Sequence, residues 1–188
     1  STYKSLGGPP GGLVVGNDAA LFERIDAIAY PGLTANFDAG KVAALAVTLV
    51  DWKRHGAAYA QAMCDTARSL AQALQNQGLP VYAAARGATT SHQFAVEAAR
   101  WGGGQAAAKR MARAGLLACG IGLPIAPVAG DINGLRFGVP EIVRLGMKPE
   151  HMGELASLIV RALGDRPEDV AREVESFRHR FRELHFIN

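Results

Sequence analysis

Two cysteines in 188 residues, Cys64 and Cys119, supply no disulfide framework and form no CxxC pair. Each reads as a small buried residue in a reducing compartment. Aromatic side chains are scarce at 7%. Long apolar runs are missing too: the uncharged stretch Ala114 to Gly130, which no other exceeds in length, is interrupted by Gly120, Gly122, Pro124 and Pro127, whereas a bilayer-spanning helix needs about 20 apolar residues. The N-terminus does not read as a signal peptide, because Ser1-Thr2-Tyr3-Lys4 leads into Gly-Pro turns. Charge of one sign is equally thin. The net charge is +3, and the one dense basic tract, Arg178-His179-Arg180-Phe181-Arg182, alternates with apolar positions at helical spacing, as a solvated helix face does. The expected setting is cytoplasmic, with neither nucleic acid nor membrane as partner.

What the chain does have is alanine, 34 residues of it, within a hydrophobic fraction of 49%. That is enough to bury a core, and it excludes disorder as a whole-chain description. The length fits one or two domains. The chain opens without methionine, directly on a dense motif, so it is expected to be the latter part of a longer protein.

The pattern alternates between helix and strand. Leu13-Val14-Val15-Gly16 is apolar and bounded by glycines, which predicts a buried strand. Asn17-Asp18 can cap a helix through Ala29, with Pro31-Gly32 as its stop. From Phe37 to Gln77, apolar residues recur at three and four, predicting one long helix with a bend at Gly56. Pro80 to Ala85 and His92 to Ala98 predict two strands, Gly103 to Ala114 a helix, and Leu116 to Cys119 and Leu135 to Gly138 two further strands. Pro149 to Leu163 and Pro167 to Leu184 predict two closing helices, each with proline in its first turn. The class is α/β, with an Ala-rich helix joining two lobes.

Chemistry is most concentrated at the start, in Ser1-Thr2-Tyr3-Lys4-Ser5-Leu6-Gly7-Gly8-Pro9-Pro10-Gly11-Gly12. A glycine loop near a lysine suggests phosphate handling, but the P-loop order of glycines, lysine and hydroxyl is absent. Taken alone, the segment reads as a surface lysine before a turn. The five histidines form no ligand-spaced cluster, and no metal site is expected.

In wider context the run STYKSLGGPPGGLVVG resembles the segment around the cofactor lysine of serine hydroxymethyltransferases. Further matches follow in the family's order: AYPGL at 29–33, the Ala-rich helix, TTSH at 89–92, and GLRFGVP at 134–140 followed by Leu145-Gly146-Met147-Lys148. The resemblance covers essentially the whole chain. It implies the latter part of a pyridoxal-5'-phosphate enzyme of fold type I: residues 1–50 as the end of the large cofactor-binding domain, a long connecting helix, and residues 51–188 as a small α+β C-terminal domain. Lys4 would carry the cofactor as a Schiff base, which requires an amine partly desolvated or near other positive charge. Burial against the Gly7–Gly12 turn is the expected source. Ser1 and Thr2 match hydroxyl positions near the cofactor phosphate, and Arg136 matches the arginine that holds the substrate's α-carboxylate through a planar two-pronged contact. The other reading of Arg136 is a strand arginine paired with a core acid. His92 matches a histidine before a small-domain strand and reads as structural.

Three departures matter. Tyr3 stands where the family has histidine beside the lysine, a position linked to substrate specificity, so Tyr3 is expected to shape the space and proton traffic at the reacting carbon. Pro10 and Thr34-Ala35-Asn36-Phe37 replace the arginine and the Gly-Gly-Pro loop, which weakens the expectation of phosphate contact across a dimer. Cys119 to Ile132 lacks the elements that contact tetrahydrofolate in the family and offers mostly glycine, alanine, proline and branched aliphatics. The expected activity is a serine/glycine hydroxymethyltransferase-like making or breaking of the Cα–Cβ bond of a β-hydroxy amino acid, in a homodimer. The alternatives are a folate-independent aldolase, transaldolase or α-methylserine-type hydroxymethyltransferase, and, in another class, a non-catalytic dimerisation module.

Overall fold

The computed structural model describes all 188 residues. Contacts divide it into two units, Ser1–Gly56 with Asn188, and Ala57–Ile187.

The former unit is two helices and loops. Helix α1, Ala19–Ala27, starts at Asp18, whose carboxylate accepts the Leu21 N–H at 3.0 Å, as the capping pattern predicts. An irregular turn, Ile28–Leu33, follows, with Tyr30 extended and a cis Tyr30–Pro31 bond. The first half of the long helix α2, Ala39–Asn76, completes the unit. Asp38 receives the Lys41 N–H at its start. One expectation fails here. Leu13–Gly16 is coil, with Val15 79% exposed, because an apolar run becomes a strand only when a neighbour takes up its backbone groups. Helix α2 runs unbroken through Gly56. An ideal Cβ at Gly56 would stand 2.7 Å from Cε3 of Trp52, so glycine makes room for a ring lying one turn earlier on the helix.

The latter unit holds a core. The second half of α2 buries Tyr59, Met63, Ala67, Leu70 and Leu74 at helical spacing. Its sheet is antiparallel, in the order β1-β3-β2, from Gln93–Glu97, Cys119–Ile121 (β2) and Gly134–Gly138 (β3). Helix α3, Gly104–Arg113, begins against β3: an added Cβ at Gly104 would overlap the Gly134 carbonyl. Helices α4, Pro140–Arg144, α5, Met152–Ala162, and α6, Ala171–Arg178, follow.

Boundaries depart from the pattern in four places. Pro80–Ala85 is not a strand; it makes one bridge, Val81 to Val96, before a 3-10 turn at Ala84–Arg86. Strand β2 lies later than Leu116–Cys119. Helix α6 stops at Arg178, and Pro167–Val170 before it is a 3-10 turn. Helix α4 has too few residues to show a period.

Candidate functional site

The lysine lies in a turn closed by its own backbone. The Gly7 N–H donates to the Lys4 carbonyl at 2.8 Å, and glycine takes a φ of 73° there. Thr2 brackets that turn. Its N–H donates to the Gly11 carbonyl at 3.0 Å, its carbonyl accepts from Gly8 N–H at 2.8 Å, and its hydroxyl donates to the Pro9 carbonyl at 2.5 Å. Thr2 is 2% exposed in consequence. Sequence reasoning put its hydroxyl beside the cofactor phosphate; in the structure that proton goes to Pro9.

Lys4 itself is exposed, as are Ser1 and Tyr3. The glycine turn orders the lysine's backbone but does not bury its side chain, contrary to expectation, because residues 7, 8, 11 and 12 have no side chains to wall it with. Beyond the turn, the Trp52 indole N–H of α2 donates to the Leu6 carbonyl at 2.7 Å.

In the other unit, Arg136 is the middle residue of the middle strand. Successive strand residues face opposite sides, so Leu135 and Phe137 are buried while Arg136 is exposed. Across the ladder its neighbours are Ala95 on β1 and Cys119 on β2, both small. The opposite face is fixed by Phe94 against Phe137, ring centroids 5.4 Å apart. Arg136 makes no salt bridge and no side-chain hydrogen bond, and the core-acid pairing is absent. Five fixed N–H donors without an acceptor suit a carboxylate.

Two polar residues that the sequence did not single out order the loop before β3. Buried Asn133 accepts the Leu123 N–H at 2.7 Å and turns its amide towards the carbonyls of Leu123, Ile125 and Ala126 at 2.9, 3.1 and 3.2 Å. Asp131 caps α3, accepting from Ala106 N–H at 2.9 Å and Gln105 N–H at 3.2 Å. The Ala106 N–H above all, then those of Ile132 and Gln105 with the Lys109 charge, hold the Asp131 carboxyl below its usual range. His92 is half-buried before β1, and its carbonyl accepts the Val139 N–H. No three His, Cys, Asp or Glu side chains gather as a metal site. No helix is long and apolar enough to cross a membrane.

The architecture is that of part of a fold-type-I enzyme: the chain superposes over 99% of its length, with a TM-score of 0.85, on L-threonine transaldolase from Pseudomonas fluorescens, at 24% identity and covering 43% of that chain. No protein-family model matches the chain. Sequence relatives are closer. An alpha-methylserine aldolase of Variovorax paradoxus is 72% identical over 188 residues, all of this chain and 42% of its own length. A serine hydroxymethyltransferase of Pyrobaculum arsenaticum is 36% identical over 187 residues, 99% of this chain and 44% of its own. These relatives match the whole chain, which spans less than half of their length and fits a portion of an enzyme of the serine hydroxymethyltransferase type.

Proposed function

We propose that the full-length protein is a pyridoxal-phosphate-dependent aldolase cleaving the Cα–Cβ bond of a β-hydroxy amino acid with an α-substituent, such as α-methylserine. The observation that carries this choice is the much higher identity to the aldolase than to the hydroxymethyltransferase along the same residues. The Cα–Cβ bond breaks, the substrate hydroxyl loses its proton, the hydroxymethyl carbon leaves as formaldehyde, and Cα takes up one proton to give alanine. When bound, the cofactor supplies the electron sink for the pair released from that bond.

The chain's own residues fit such a group through their chemistry: an amine without an ion partner on an ordered turn, and a guanidinium without an acid. Lys4 would hold the cofactor. Ser1, whose hydroxyl is exposed, is assigned to the phosphate, whereas Thr2 closes the turn. Tyr3 shapes the room beside the lysine, and Arg136 holds the substrate carboxylate. Residues 1–50 then close the cofactor-binding domain and 51–188 form the small domain, near the contact boundary after Gly56. A cytoplasmic homodimer is the assembly proposed. Exposed Val42, Val47, Leu49 and Val50 on α2 support further burial in the complete protein.

The test is formaldehyde release from α-methylserine by the full-length enzyme, with and without tetrahydrofolate. A folate-indifferent rate is expected; a rate that needs tetrahydrofolate and prefers serine selects the hydroxymethyltransferase. Arg136→Lys should lower kcat/KM by roughly ten- to a hundredfold, since a hydrogen bond to a charged group contributes about 1.5–3 kcal/mol. Unchanged kinetics would place the carboxylate elsewhere.

A further inference from the structure

We propose that Trp52, with Gly56 beneath its ring, is a positioning residue for Lys4. This rests on the reading of Lys4 as the cofactor lysine.

The turn Lys4–Gly7 is ordered internally, but internal bonds fix only its shape. Its place against α2 depends on bonds leaving the segment. One of these is well defined: the Trp52 indole N–H on the Leu6 carbonyl, 2.7 Å, two residues from the lysine and inside the turn that the Lys4 carbonyl closes. An indole has a single N–H and no acceptor, so its ring orientation decides which carbonyl it serves. That orientation is made available by Gly56. A Cβ there would meet Trp52 Cε3 at 2.7 Å and Cδ2 and Cζ3 at 3.5 Å, so any side chain displaces the ring.

Glycine within a helix also costs about 1 kcal/mol relative to alanine. A device that accepts this cost to seat a ring is doing something other than stabilising its helix. Gly8 shows close approach at the same turn, since a Cβ there would come within 3.0 Å of the Thr2 carbonyl and 3.5 Å of both Leu45 and Thr48 on α2. The segment is thus pressed on the helix beside the lysine and pinned just after it. Displacing the pin lets the amine wander from the position in which it meets a carbonyl carbon, which slows the chemical step without changing substrate recognition.

Two variants separate the pin from general stability. Trp52→Phe removes the donor and keeps a ring. Gly56→Ala keeps the donor, favours the helix and shifts the ring; it also serves if Trp52→Phe fails to fold. In cofactor-free full-length protein, both should speed hydrogen exchange at the Gly7 and Gly8 amides by about threefold to tenfold, the range of one lost neutral hydrogen bond. In the loaded enzyme both should lower kcat with KM unchanged and displace the pH at which the cofactor's visible absorbance changes. Unaltered exchange in both variants overturns the pin. Faster exchange with wild-type kcat and pH profile also overturns it, leaving Trp52 a merely structural contact. Borohydride reduction of the wild type keeps the two ideas apart: a pyridoxyl group on Lys4 with an unmoved profile sinks the pin alone, and an unlabelled Lys4 sinks the cofactor reading with it.

Discussion

The stretch before Gly56 and the stretch after it have similar apolar content but different fates. After Gly56, apolar residues close into a core: Leu74, Val96, Met111, Leu135, Val139 and Met152 are fully buried. Before it, α1 buries nothing, and Leu13, Val14, Val15, Leu33, Phe37 and Val42 stand exposed. Apolar patterning states which face an element would bury. It forms that face only where the partner surface is present in the same stretch of chain.

That contrast can be broken by mutation. Leu74→Ala should cost about 2–5 kcal/mol in urea unfolding of this chain, whereas Val15→Ala should stay within about 0.5 kcal/mol. Equal costs would mean that residues 13–16 are packed after all. Asn133→Ala should lose about 2 kcal/mol, since it removes one accepted bond and up to two donated ones from a buried site, each contributing about 0.5–1.5 kcal/mol. Faster proteolysis in residues 122–130 would accompany it, and an unchanged cleavage pattern would show the loop to be ordered by other means. Thr66 runs the other way. Its hydroxyl is fully buried in α2 without a hydrogen-bond partner, so Thr66→Val should raise stability by about 1 kcal/mol. A loss on that substitution would reveal a bound water or a hidden acceptor.

The smallest effect expected is in acid. Asp131 has a carboxyl held below its ordinary range in the folded chain, so its contribution is present above the unfolded value and disappears as pH falls through the lowered one. Thermal unfolding followed below about pH 4 should therefore show a steeper loss for the wild type than for Asp131→Asn. Parallel acid limbs would mean that the cap acts through geometry alone.

Much of the latter unit was legible because its signals are local. The three-and-four spacing of Met63, Ala67, Leu70 and Leu74 gives α2 within two residues at either end, and the run Leu135 to Gly138 gives β3 within one residue. The misses share a cause in long-range partnership. Leu13–Gly16 and Pro80–Ala85 carry strand-like composition, but a ladder requires a neighbour that composition does not name. Asn133 sits between Ile132 and Gly134 with no local signature; its importance comes from carbonyls seven to ten residues back in the chain. Gly56 was legible as special, but the ring it admits was not, because a glycine that admits a ring and one that bends a helix look alike in sequence. For the proposed site, Lys4 and Arg136 were singled out through motif order. The closure of the turn by Thr2 was not, since a threonine before a lysine gives no hint that its hydroxyl will reach Pro9.

The cofactor role of Lys4 is tested most directly by reducing the full-length, cofactor-saturated protein with borohydride and mapping its peptides by mass. A pyridoxyl group is expected on the peptide containing Lys4 and on no other lysine. Label on a different lysine, or none, would contradict it.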